Sequence, residues 1–276
     1  MNIPINHKNE QQVALAFTGQ SAIFDELYAN NGIVGYKRKR VRQFLLKYLI
    51  PGSRILELNA GTGDDAIYLA NHGHSVHATD ISTGMQAKLR EKVAIHGMET
   101  LVTQELCSFT SLENLSSQGT YDCIFSNFAG LNCTGDLNKV LASFDSLLKP
   151  GGTVVLVVLP RFCLWETLFI LKGKFKTATR RFFSSGGRKA RIDDAYFTCW
   201  YYSPGFIRRG LEKKFEYKEL EGLCTMVPPS YIENFPGKFP RLYNWLCKME
   251  NRFKSSWPWK YIGDYYIISL QKVHSV

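Results

Sequence analysis

Between residues 54 and 159 the chain alternates short apolar runs with longer stretches in which apolar positions recur every three or four residues. Strands are predicted at 54–60, 75–80, 100–106, 121–127 and 153–159, with helices at 64–72, 83–96 and 136–148. Cys123 to Phe125 and Thr153 to Leu159 are apolar at consecutive positions, as strands covered on both faces are. This alternation predicts an α/β fold with a doubly wound, mostly parallel sheet. Upstream, 10–30 and 36–49 have helical spacing, the second with Val41, Phe44, Leu45, Tyr48 and Leu49 on one side, and Pro51-Gly52 stops it. After Leu159 the rhythm breaks for about forty residues, long for a plain connection. Strand character returns at 215–220 and 264–272, with a helix at 240–253 between them. The expected organisation is an N-terminal helical cap (1–50), a sheet domain in two pieces (51–160 and 205–276), and an inserted helical, basic cap (161–204) between the fifth and sixth strands, on the substrate side.

Composition narrows the class. With 276 residues, 45% of them hydrophobic, the chain can bury a sizeable core, which excludes a disordered protein. Its longest apolar stretch is broken by Pro160, Arg161 and Glu166, short of the roughly 20 clean residues of a membrane span. The start, MNIPINHKNEQQ, has no export signal, so a cytoplasmic location is expected. The seven cysteines form no C-x-x-C pair, and His72, His74 and His77 lack a supporting ligand set, so no metal site is expected. A formal charge of +10 points to an anionic partner without saying which.

The chemistry concentrates in RILELNAGTGDDAIYLA, residues 54–70. Gly61-Thr62-Gly63 follows a strand and opens a helix, so backbone N–H groups can approach a ligand that a side chain would block. Asp80 ends the next strand, where a carboxylate can accept both ribose hydroxyls. A nicotinamide dinucleotide also fits Gly61-x-Gly63-x-x-Ala66. Against it, Glu57 in the first strand suits an ammonium-bearing ligand, Asp64 and Asp65 at the helix start would repel a pyrophosphate, and no Tyr-x-x-x-Lys pair occurs. The features favour a sulfonium amino acid joined to adenosine.

With these residues the chain resembles the class I S-adenosylmethionine-dependent methyltransferases, with their Rossmann-like fold, over residues 40–160 and the terminal strand. ILELNAGTG is similar to the family's first motif, HATDIS with Met85 to its acidic second-strand motif, and YDCIFSNF and LLKPGGTVVLV to its fourth and fifth strands. The resemblance implies S-adenosyl-L-methionine as cofactor, with Glu57 and Gly61 lining its methionine end, Asn59, Thr62 and Gly63 also in its binding turn, Asp80 on the ribose, and Ile81 and Met85 near the adenine. Asn59 stands where the family usually has its first glycine, and Asn is the side chain that best tolerates positive φ there. No Asp ends the third strand, so Leu106 or Cys107 is expected to meet the adenine through backbone atoms. After the fourth strand, Asn127 is a candidate for the methionine moiety, Phe128 for a wall and Asn132 for orienting the substrate. Turn capping explains both asparagines equally well.

Residues 167–192 hold eight Lys or Arg and no acid, interleaved with Phe169, Phe175, Phe182 and Phe183, behind an amphipathic stretch with Trp165. That pattern suits a lid over an apolar, aromatic or lipid-like small acceptor, or a peripheral contact with an anionic membrane surface. It also suits a solvated basic helix. Nucleic acid is the weaker match, for want of an RNA-binding module or an Asn-Pro-Pro-Tyr-type motif after the fourth strand. Further pocket candidates are Trp165, Glu166, Tyr201, Tyr202 and Tyr28, with Tyr36 and Arg42 in the N-terminal helix. The expected activity is methyl transfer; a non-catalytic adenosine-ligand binding or scaffold protein, an RNA methyltransferase and an NAD-dependent oxidoreductase remain alternatives.

Overall fold

The structure is a computed structural model, described here for residues 5–116, 119–182, 184 and 186–273. Three helices come first, α1 (Ile5–Gln20), α2 (Phe24–Ala29) and α3 (Gly32–Leu46). An alternating series follows: β1 (Arg54–Leu58), α4 (Asp64–Ala70), β2 (Ser75–Asp80), α5 (Thr83–Ile95), β3 (Val102–Leu106), β4 (Tyr121–Ser126), α6 (Leu137–Leu147) and β5 (Leu148–Val158). Next are α7 (Leu164–Thr167), α8 (Phe175–Thr179) and a hairpin of β6 (Arg188–Ile192) and β7 (Ala195–Cys199). The chain ends with α9 (Pro204–Leu211), β8 (Phe215–Leu223), α10 (Phe235–Lys238), α11 (Pro240–Phe253) and β9 (Tyr265–Lys272).

Seven strands form one sheet in the order β3-β2-β1-β4-β5-β9-β8. The first five run parallel, while β9 lies antiparallel between β5 and β8, pairing Val155 with Ser269 and Leu220 with Ile268. Because successive side chains point to opposite faces, each central strand feeds two cores. Leu56, Leu58, Ile124, Val154 and Leu156 meet Val140, Leu141 and Phe144 of α6 and Ile207 of α9. Ile55, Cys123, Phe125, Val155 and Val157 meet Val41 and Phe44 of α3, Leu69 of α4 and Leu89 of α5. This two-sided burial is why the strands read as continuous apolar runs.

The helices start where the sequence supplies caps. Asn31 accepts hydrogen bonds from the Ile33 and Val34 amides at the start of α3, and Ser82 accepts one from Met85 at the start of α5. Gly63, at φ 84°, opens α4 without a side-chain cap, and a Cβ there would fall 2.8 Å from Leu89 Cγ. Gly63→Ala therefore combines left-handed strain with a forced shift of α5, at about 2–4 kcal/mol. Urea unfolding checks this; a loss below roughly 0.5 kcal/mol, the range of neutral surface changes, refutes it.

Two expectations change. The 10–30 helix is two, with a turn between α1 and α2. The inserted segment 161–204, expected to be helical, holds short helical turns followed by the β6–β7 hairpin. The hairpin is tied to α1: Thr198 N donates to Asn9 Oδ1 at 2.6 Å, and the rings of Phe17 and Phe197 lie 6.2 Å apart. Among the described residues, no helix is long and apolar enough to cross a membrane.

Candidate active site

The chain leaves β1 toward β2 on one side of the sheet and returns through β4 on the other. Between the carboxyl ends of β1 and β4 it therefore opens a crevice, the place where such sheets take ligands. A cavity with about 870 Å³ of empty space, its open mouth included, lies there. It is lined by residues from the ends of β1, β2 and β4 and from α1, α2 and α3.

Asn59 adopts φ 50° at the first position of the turn. Its Nδ2 donates to the Asn127 carbonyl at 2.8 Å and its Oδ1 accepts from Ser126 Oγ at 2.6 Å, joining the ends of β1 and β4. Gly61, at φ 58°, lines the cavity, and a Cβ built on it would touch nothing within 4 Å, so the space stays open for a ligand. Gly61 N donates to Asp80 Oδ2 at 2.9 Å and Ser82 N to Oδ1 at 2.8 Å. Burial pushes the Asp80 carboxyl upward while these backbone bonds pull it back. Each oxygen keeps lone-pair capacity for a hydroxyl.

Glu57 is the electrostatic outlier. It is buried on the cavity, its Oε2 has no hydrogen-bond partner, and burial, followed by the charge of Asp65, raises its carboxyl well above the ordinary range. A buried oxygen of this kind calls for a donor. Asp65 itself is committed, accepting from Arg42 Nε at 2.6 Å and Asn127 Nδ2 at 2.7 Å. Asp64 pairs with Arg38 at 2.6 Å, and Arg38 lines the cavity with its Nε buried and unpartnered.

Of the residues singled out by sequence, Glu57, Asn59, Gly61, Thr62, Asp80, Ile81, Met85, Asn127 and Phe128 line this cavity, with Gly63 just behind the turn. Asn127 is already bonded to Asp65, and its Oδ1 accepts from Phe128 N. Other candidates fall elsewhere. The Leu106 side chain, 56% exposed at the end of the edge strand β3, is off the cavity, and Cys107 N is taken by the Asp80 carbonyl. Asn132 is wholly buried; it donates to the Leu159 and Trp200 carbonyls and accepts from Leu159 N, which ties the insertion to the sheet instead of facing a substrate. Trp165 and Tyr201 also lie off the lining, Tyr201 under the Arg181 guanidinium at 5.2 Å.

Glu166 is held by Arg180 and Arg181, so burial, which works to raise its carboxyl, is overcome by their hydrogen bonds and charge. Glu166 and Asp264, with Cys163, form the one metal-capable cluster among the described residues, and Arg181 already bridges the two acids. Of the remaining candidates, Tyr36 donates to Glu250 and Tyr202 to the Thr134 carbonyl; Tyr28 is partly exposed and off the lining. Sequence reasoning missed Arg38 and the wall of Val13, Phe17 and Phe24 from α1 and α2, and Phe109 after β3. Helical spacing marked the N-terminal segment as a helix but not which of its faces would dock.

Fold and site together define a doubly wound α/β protein with its ligand cavity at the switch point. Residues 55–152 match the family described as a methyltransferase domain. An uncharacterized methyltransferase of Synechocystis sp. is 29% identical over 54% of this chain and 68% of its own length. The demethylmenaquinone methyltransferase of Bacillus cytotoxicus is 30% identical over 48% and 57%, and an S-adenosyl-L-methionine-dependent Diels-Alderase of Talaromyces variabilis 35% identical over 45% and 42%. The chain thus spans less than two thirds of several of these relatives, and 5% of a hybrid synthetase of Thermothelomyces thermophilus. Among solved structures, a SAM-dependent methyltransferase from Methanosarcina mazei superposes with TM-score 0.57 at 16% identity, over 84% of this chain and 98% of that one. The 1,6-didemethyltoxoflavin-N1-methyltransferase of Burkholderia thailandensis gives 0.57 at 14% identity, over 99% and 92%. Residues 55–152 thus carry a methyltransferase domain, and the fold of the chain is shared with these solved methyltransferase structures.

Proposed function

We propose that the protein transfers a methyl group from S-adenosylmethionine to a small-molecule acceptor of apolar, aromatic or lipid-like character, in the cytoplasm. The observation that carries this reading is a pair of buried carboxylates on one cavity: Asp80, anchored by two backbone amides with lone pairs to spare, and Glu57, with an oxygen lacking any donor. Asp80 accepts the ribose hydroxyls and Glu57 the ammonium. Arg38, with its unpartnered Nε, takes the carboxylate, while Val13, Phe17, Ile81 and Phe109 enclose the adenine. When bound, the cofactor supplies an already activated sulfonium methyl. The protein's task is then to align the acceptor and exclude water. Phe24 and Phe128 supply the apolar wall for that acceptor.

Calorimetry with S-adenosylmethionine, S-adenosylhomocysteine and NADH tests the assignment: the two sulfur compounds bind and NADH does not. Preference for NADH refutes it. Because the ammonium needs the Glu57 carboxylate and that group's pKa is raised, affinity falls on acidification at a higher pH than an ordinary carboxylate allows. Glu57→Gln removes that step in the pH profile; an unchanged profile excludes Glu57 as the ammonium partner.

A second reading draws on the relative named an S-adenosyl-L-methionine-dependent Diels-Alderase: this chain binds the cofactor and promotes a cycloaddition of its small-molecule substrate with no methyl transferred. Substrate conversion without release of S-adenosylhomocysteine selects it over methyl transfer.

A further inference from the structure

Between α7 and the first turn of α8 the chain exposes large apolar side chains and lysines together. Leu168, Ile170, Leu171 and Phe175 are 43%, 39%, 83% and 63% exposed within eight residues of chain. Lys172, Lys174 and Lys176 are exposed between and beside them. Isolated exposed apolar residues are ordinary, but four on one short projection are not. The projection is anchored from below: Arg180 and Arg181 bind the buried Glu166, Arg181 also binds Asp264, and the Phe169 ring rests 6.0 Å from that of Tyr231. No acid occurs from 167 to 192, and the nearest one before it, Glu166, is consumed internally. The tip therefore offers uncompensated positive charge around apolar prongs.

We propose that residues 168–176 dock the protein onto an anionic lipid bilayer, an inference independent of the methyl-transfer reading. Charge complementarity selects a negative partner. The form of the apolar groups selects a bilayer over an acidic protein, because side chains radiating from a short turn need a fluid hydrocarbon boundary, with no matching groove. Leu171 and Phe175 enter the interface while the lysines keep their ammonium groups among the headgroups and bury their stems.

The test uses the full chain, sedimented with vesicles of phosphatidylcholine alone or mixed with phosphatidylglycerol, with a vesicle-free control. Expected is pelleting with the mixed vesicles only. The Leu171→Glu/Phe175→Glu pair weakens it by about tenfold or more, and Lys172→Gln/Lys174→Gln/Lys176→Gln by roughly a hundredfold. Both variants alter exposed positions and retain S-adenosylhomocysteine binding wherever the parent shows it. Absence of pelleting overturns the proposal, as does equal pelleting with neutral vesicles. Binding removed by the lysine changes but untouched by the Leu171/Phe175 pair also overturns it, because the contact is then adsorption by charge alone with no apolar side chain entering the interface.

Discussion

Replacing Asp80 by Ala is expected to weaken S-adenosylhomocysteine binding by about 3 kcal/mol or more, roughly a hundredfold, because two hydrogen bonds to a charged acceptor are lost together. Asp80 also accepts from Gly61 N and Ser82 N, so its loss loosens the turn it is meant to serve. A fall in affinity alone would not separate the two roles. A cycle with the 2′,3′-dideoxy analogue does. If Asp80 holds the ribose hydroxyls, removing the hydroxyls weakens binding to the parent but hardly at all to Asp80→Ala. If the effect is only on turn shape, both ligands lose the same factor on substitution, and additive losses exclude the ribose contact. Thermal unfolding of the variant alongside records the structural share.

Much of the site is legible in the amino-acid pattern because it is built from short-range rules. The glycine turn, the Asn59 backbone and the acid at the end of the second strand all lie within 22 residues of one another in sequence, and the two-sided burial of the strands shows as apolar runs. What the pattern does not contain is docking. Val13 and Phe17 wall the cavity from α1, which meets the β6–β7 hairpin, nearly two hundred residues away, through Asn9 and Thr198, and Phe24 follows from α2. The hairpin was hidden by its charges, although Arg188 to Ile192 and Ala195 to Cys199 flank an Asp193-Asp194 turn with Asp193 at φ 49°. Asn132 illustrates a different failure: its position after the fourth strand made it a candidate for orienting the substrate, but its three hydrogen bonds go to backbone groups that the sequence cannot pair. Trp165, Tyr201 and Glu166 also fall off the cavity, Glu166 held by the Arg180 and Arg181 side chains and Tyr201 under the Arg181 guanidinium.

The largest expected stability effect is at Glu250, on the last turn of α11 and only 1% exposed. Its two oxygens accept from the amides of Cys224, Thr225, Met226 and Val227 and from the Tyr36 hydroxyl, with the Arg40 guanidinium 3.5 Å away. One carboxylate thus closes the end of β8, α3 and α11 on one another. It also sets the loop whose Ser230 receives the buried Lys37 ammonium at 2.9 Å. Glu250→Ala leaves four amides without that acceptor and Arg40 with a single remaining carboxylate, Glu221. Breaking one partner of such a buried cluster costs about 3–5 kcal/mol, which for a chain of this size lowers Tm by roughly 10 °C. Glu250→Gln keeps the shape but brings an NH₂ group against amides that need an acceptor, so it recovers only part of the loss. Calorimetric unfolding of both variants decides the matter. Glu250→Ala within about 1 kcal/mol of the parent, the spread of ordinary substitutions, would show that water satisfies these amides unaided.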